Sequence, residues 1–245
     1  MIVRALITFF GLCLFWQGVV WLFETPPYIL PGPLLVWDAL SSRPELFLRH
    51  GATTALEIVL ALILGLTAGF LTGVLVWRSA RAERWLWPLL LASQAIPVFA
   101  IAPLLVLWLG YGLASKVTMA VLIVFFPVTV AVVEGLRRIG NYWPEQAQLM
   151  GARPGAFFRL VQLPASLGTI GVGARIAAAT APIGAVVGEW VGSSSGLGYL
   201  MLQHNARMQI SIVFAALFCL LLFTLSLYGL VNYTTRKLIF WTDER

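Results

Sequence analysis

Charge is what this chain has least of. Only 11% of its 245 residues are Asp, Glu, Lys or Arg, against about 25% in an average soluble domain, while 60% are hydrophobic. So few charges cannot cover a water-exposed surface, and an all-α integral membrane protein is expected in place of a soluble domain. Cysteine is scarce as well. Cys13 and Cys219 lie in separate apolar runs without CxxC spacing, so neither a disulfide nor a cysteine-bound metal is expected. The two histidines, His50 and His204, fall in separate loops and offer no triad, so no catalytic residue, metal or cofactor is expected. No GxxxxGK[ST] is present, and the run GSSSGLG at Gly192 to Gly198 lacks the following Lys-Ser/Thr, which excludes P-loop ATP binding and leaves a turn. The net charge of +6 does not indicate nucleic acid, because the basic residues are spread over loops instead of forming one face. Anionic lipid and membrane orientation account for them better.

What is present is a succession of apolar runs. Residues 5–23 form an uncharged run long enough to cross about 30 Å of hydrocarbon. Arg4 precedes it and no small-x-small cleavage site follows, so it reads as an uncleaved first span. Residues 26–49 carry Pro26, Pro27, Pro31, Pro33 and Pro44 with four charges, the pattern of an external loop with a short helix over 34–41. Further spans are predicted over 54–77, 85–109, 117–133, 167–190 and 210–233, six in all. Gly65, Gly69 and Gly73 make a small-residue stripe suited to close helix packing in lipid. Gln94, Pro97 and Pro103 in the third span and Pro127 in the fourth predict bent helices that face protein or a pathway, because lipid cannot satisfy a broken backbone. Residues 191–208 read as a polar turn. The chain thus divides into a first helix with its external loop (1–50), a five-helix core (51–235) interrupted by a loop at 134–166, and a tail (236–245).

Basic residues set the orientation. With the N-terminus inside, Arg4, Arg78, Arg81, Arg84, Arg137, Arg138, Arg153, Arg159, Arg236, Lys237 and Arg245 are cytoplasmic, while Arg43, Arg49, Lys116 and Arg207 are external. With Arg175 left out as intramembrane, the split of 11 to 4 favours this arrangement, with both termini in the cytoplasm.

The loop at 134–166 holds the stretch EQAQLMGARPGAFFRLVQLP, Glu145 to Pro164. Pro144 suits a helix start, Glu145 complements its positive end, and Gly151 can supply a left-handed stop. Pro154 restarts the chain and Pro164 breaks it again, so two short helices with an elbow are predicted. Ala147 and Gly151 lie four apart and are small enough for another protein to approach closely. The spacing Glu145, Gln146, Ala147, Gly151, then nine residues to Val161, Gln162, Leu163 and Pro164 resembles the cytoplasmic motif of ABC importer permeases. Gln146 and Val161 are mild departures from that motif.

The resemblance implies a type I importer permease fold with the motif as the segment coupling to a separate ATPase, its site residues Glu145, Ala147, Gly151, Leu163 and Pro164. It further implies a second copy of the chain to complete the pore and an external solute-binding protein, in a multi-pass inner-membrane subunit that is not itself an enzyme. Within importer permeases the chain is similar to the nitrate, sulfonate and taurine group. Ala92 to Val117 and Ala181 to Gln209 are similar to permeases assigned to hydroxymethylpyrimidine and other thiamine precursors. Another solute, such as a sulfonate, taurine or nitrate, remains an alternative, as does a stand-alone secondary transporter using Glu57 and Glu189 as ion sites. Glu57, Gln94, Pro97 and Glu189 are expected along the pathway, where carboxylates would repel anions and favour a neutral or cationic ring. The carboxylates alternatively pair with Arg175 or Arg207, or lie in the headgroup layer.

Overall fold

The computed structural model describes residues 2–140 and 142–241, so Arg245 and the end of the tail lie outside the described residues. Every regular element among these residues is helical: α1 (Ile2–Leu22), α2 (Pro33–Ser42), α3 (Pro44–Arg78), α4 (Ala80–Ala95), α5 (Val98–Leu109), α6 (Leu113–Arg137), α7 (Tyr142–Leu149), α8 (Pro154–Phe157), α9 (Leu163–Gly192), α10 (Leu197–Ala206) and α11 (Ile210–Leu238). α6 is the central post, packed between α3 and α9. Between apolar helices in lipid there is no hydrophobic drive, so contact depends on close van der Waals fit. The glycine stripe provides it: Gly65, Gly69 and Gly73 of α3 lie on Val124, Val128 and Val132 of α6. A Cβ at Gly69 would stand 2.8 Å from the Val128 Cβ, and one at Gly73 2.6 Å from the Val132 Cβ. α9 meets a neighbouring face of α6 through Gly173, Gly184 and Gly188, which rest on Ala131, Ala120 and Lys116.

Several expectations need correction. Among the described residues, four helices are long and apolar enough to cross a membrane, or five when α4 and α5 count as one. α1, Ile2–Leu22, is a further apolar helix of 21 residues, about 31 Å long. The third span is not merely kinked: α4 and α5 meet at 101°. Pro97 removes a donor and holds Ile96 extended (φ −89°, ψ 118°), which takes two successive residues out of the helix. α6, in contrast, runs unbroken through Pro127. Pro164 does not end a helix: the chain runs on through it from the wider turn that directly precedes it. α8, a wider π-type turn at Phe158–Gln162 and α9 together make one helix, Pro154–Gly192. The stretch 191–208 is a turn only as far as Gly196, after which α10 begins.

Candidate functional site

At one end of the bundle, α7 and α8 form the elbow foreseen in the sequence. Glu145 sits in the first turn of α7, although the helix begins at Tyr142, two residues before Pro144. Gly151 adopts φ +77°. Its N–H donates to Gln148 O at 2.9 Å and the Ala152 N–H to Ala147 O at 2.9 Å, which closes the helix end in a left-handed cap. Arg153 is extended (ψ 138°) and Pro154 restarts the chain. Two features depart from the expected docking face. Ala147 is half-buried and lines a cavity of about 310 Å³ with Trp77, Leu136, Pro144, Phe157 and Gln162. Leu163 and Pro164 are half-buried at the start of α9, where Pro164 O accepts from Trp241 Nε1 at 3.3 Å. The outward surface holds two of the expected residues, Glu145 and Gly151, together with Gln146, Leu149 and Met150, with Leu149 82% and Met150 85% exposed. Their alternation of polar and apolar residues gave no periodic signal. Behind this surface the buried Gln162 donates to Leu136 O at 3.1 Å, and Arg137 pairs with Glu83 at 2.7 Å, tying the elbow to the ends of α6 and α4.

At the opposite end, Glu57 and Glu189 stand elsewhere than expected. They are 0% and 1% exposed, inside the packed chain, not on a surface that a second copy could turn into a pathway. Neither pairs with Arg175 or Arg207: Glu57 forms an ion pair with Lys116 of α6, itself buried. Lys116 was expected in an external turn. The Lys116 Nζ also donates to Ser193 Oγ at 3.1 Å. The Glu57 and Glu189 carboxyls face each other across this cluster. Arg175 donates to Thr235 Oγ1 at 3.4 Å.

The cluster's main work is to cap α10. A helix start leaves several N–H groups without intrahelical partners, and here side chains of α3 and α9 take them. Gly196 N–H donates to His50 Nδ1 (3.0 Å), Leu197 N–H to Thr54 Oγ1 (2.8 Å), and Gly198 and Tyr199 N–H to Glu189 Oε2 (2.5 and 3.3 Å). Thr54 Oγ1 in turn donates to Glu189 Oε1 at 2.6 Å. Gly196 has φ +116°, and a Cβ there or on Gly198 would collide with the Glu189 carboxyl. The sequence held a usable signal for this. His50, Thr54 and Glu57 recur at i, i+4 and i+7, a polar stripe on one face of an otherwise apolar helix.

Gln94 and Pro97 do stand where a pathway residue could, both exposed at the α4–α5 break. Gln94 Nε2 donates to Ser93 Oγ at 3.3 Å, and Ser93 Oγ to Leu90 O at 2.7 Å. Among the described residues no group of three or more His, Cys, Asp or Glu is arranged to hold a metal ion.

Residues 61–240 match the family described as binding-protein-dependent transport system inner membrane component. The chain is 48% identical, over 93% of each sequence, to a probable ABC transporter permease protein of Haemophilus influenzae. It is 38% identical to the formylaminopyrimidine transport permease protein ThiX of Halalkalibacterium halodurans, over 86% of this chain and 83% of that one. With the riboflavin transport system permease protein RibX of Chloroflexus aurantiacus the identity is 40%, over 96% and 88%. In fold it is similar to a chain of the inward-facing MetNI methionine ABC transporter, with a TM-score of 0.69 and 20% identity over 80% of this chain and 98% of that one.

Proposed function

We propose a function from one premise: the chain belongs to the binding-protein-dependent transport system inner membrane components. It is an ABC importer permease, a multi-pass membrane protein with the type I importer fold. We infer that two copies enclose one pathway, that two copies of a separate ATPase dock on the α7 elbow from the cytoplasm, and that an external binding protein delivers the solute at the α10 end. The observation that carries this reading is the elbow itself. A helix stopped by a left-handed glycine leaves Leu149 and Met150 almost fully exposed beside Glu145, a partly apolar surface of the kind another protein covers. The 11 to 4 distribution of basic residues supports a cytoplasmic elbow. The solute we propose is hydroxymethylpyrimidine or a related thiamine precursor. The relation to ThiX supports a pyrimidine, and the relation to RibX keeps a larger heterocycle as the competing reading.

Gly151→Trp tests the docking. The space around Gly151 is open, so the bulk projects outward; insertion is expected to stay normal while ATPase co-purification and uptake fall to background. Gly151→Asn, which tolerates the left-handed backbone, is expected to keep both and so separates bulk from strain. Normal uptake and normal ATPase association in Gly151→Trp refute the docking assignment. The solute is tested by growth of a thiamine-requiring strain on hydroxymethylpyrimidine with the permease deleted and restored. No effect of deletion on growth or pyrimidine uptake refutes it.

A further inference from the structure

The α4–α5 break lies at the middle depth of the bundle. The cavity beside it is walled by Leu122 and Phe125, nine and twelve residues into the 25-residue α6, or about 14 and 18 Å along a helix of about 37 Å. Residues 91–97 are exposed there. Ile96 and Pro97 are both extended, so the carbonyls of the last turn of α4 have no helical partner to come. Non-helical backbone at membrane depth is tolerated only when buried in protein or facing water. This exposed break therefore cannot lie against lipid; it faces either the second copy of the chain or an aqueous pathway.

The cavity measures about 260 Å³, below the roughly 300 to 1,000 Å³ of sites for drug-sized ligands. A single ring fits it. Its walls are apolar except for Ser93 and Gln94. No charged side chain lines it, so a sulfonate or nitrate would give up hydration there without a compensating cation. Among the described residues, the Gln94 Oε1 accepts no hydrogen bond, while its Nε2 is held toward Ser93 Oγ. A Gln amide presents an acceptor beside a donor, the complement of a ring nitrogen next to an exocyclic amine, the same pairing by which Gln reads adenine.

We propose that the cleft at the α4–α5 break is where the permease reads its solute, taking a single flat ring whose edge carries a hydrogen-bond donor beside an acceptor, with Gln94 as the specificity-determining residue. The proposal rests on the importer reading above and narrows its solute to a one-ring amino heterocycle.

The test uses cells carrying the whole transporter. With labelled hydroxymethylpyrimidine at sub-saturating concentration, Gln94→Leu is expected to lower uptake about tenfold, the effect of losing one bidentate contact. Permease abundance and ATPase co-purification should stay at wild-type levels. Gln94→Cys is expected to react with a membrane-impermeant maleimide in at least one nucleotide state, with hydroxymethylpyrimidine slowing the reaction. Wild-type uptake and concentration dependence in Gln94→Leu, or no labelling of Gln94→Cys in any nucleotide state, overturns the cleft while leaving the importer reading intact. Failure of the wild-type permease to restore pyrimidine uptake overturns the ring chemistry along with the solute reading. Labelling of Gln94→Cys then supports only the aqueous position of the break.

Discussion

Replacing Lys116 by Met keeps the length of an unbranched side chain but deletes the ammonium. The Nζ pairs with Glu57 and donates to Ser193 Oγ at 3.1 Å, and both carboxylates of the cluster are essentially fully buried. Removing one partner of a buried ion pair costs about 3 to 5 kcal/mol, because the other charge stays buried without compensation. For a chain of this length each kcal/mol lowers Tm by about 2 to 4 °C, so a drop of about 6 to 20 °C is expected. The assay is thermal unfolding in detergent, followed as loss of the monodisperse peak in gel filtration. Lys116→Met combined with Glu57→Gln removes a charge of each sign and leaves Glu189 with the donors it already has. The double variant is expected to recover at least half of the loss. The charge argument fails if Lys116→Met unfolds within 2 °C of wild type, or if the double variant is no more stable than the single one.

Gly196→Ala should destabilise the start of α10 by about 1 to 3 kcal/mol, since φ +116° is strained for alanine and its Cβ would strike the Glu189 carboxyl; limited proteolysis of the 193–206 segment should become faster, with unchanged cleavage counting against the cap. Gly69→Leu should force α3 off α6, because even a Cβ has only 2.8 Å to the Val128 Cβ; a variant as stable as wild type in detergent would show that the two helices can separate freely.

The long helices and the elbow were legible in the sequence because each is written in neighbouring residues. Apolar runs mark the spans, Gly151 beside Pro154 marks the stop and restart, and glycines every fourth residue mark the α3–α6 contact. The misplaced features depend on residues far apart in the chain. Lys116 looked like a turn residue because a lone charge before an apolar run usually lies in water, and only the fold brings Glu57 against it. Glu57 and Glu189 were read as lining a pathway because a carboxylate in a span must face something polar, and sequence alone could not show that this was a helix start and a lysine. The break at Pro97 was visible as a proline but its 101° was not, since the angle is set by how α5 packs on α6 and α9. α10 was missed because its start is capped by α3 and α9 instead of by a nearby Ser, Thr, Asp or Asn.

The cap and ion pair also constrain how the chain is made. Glu57 leaves the ribosome 59 residues before Lys116 and 132 before Glu189. At synthesis rates of about 5 to 20 residues per second, Glu57 is without its lysine for roughly 3 to 12 s. A charged side chain at a helix centre costs about 2.5 to 3.5 kcal/mol on insertion scales, so a newly made α3 gains from keeping the Glu57 end at the membrane boundary or beside the insertion machinery. Final seating of α3, α6 and α9 therefore belongs to the last stage of biogenesis, once residues up to Tyr199 have emerged.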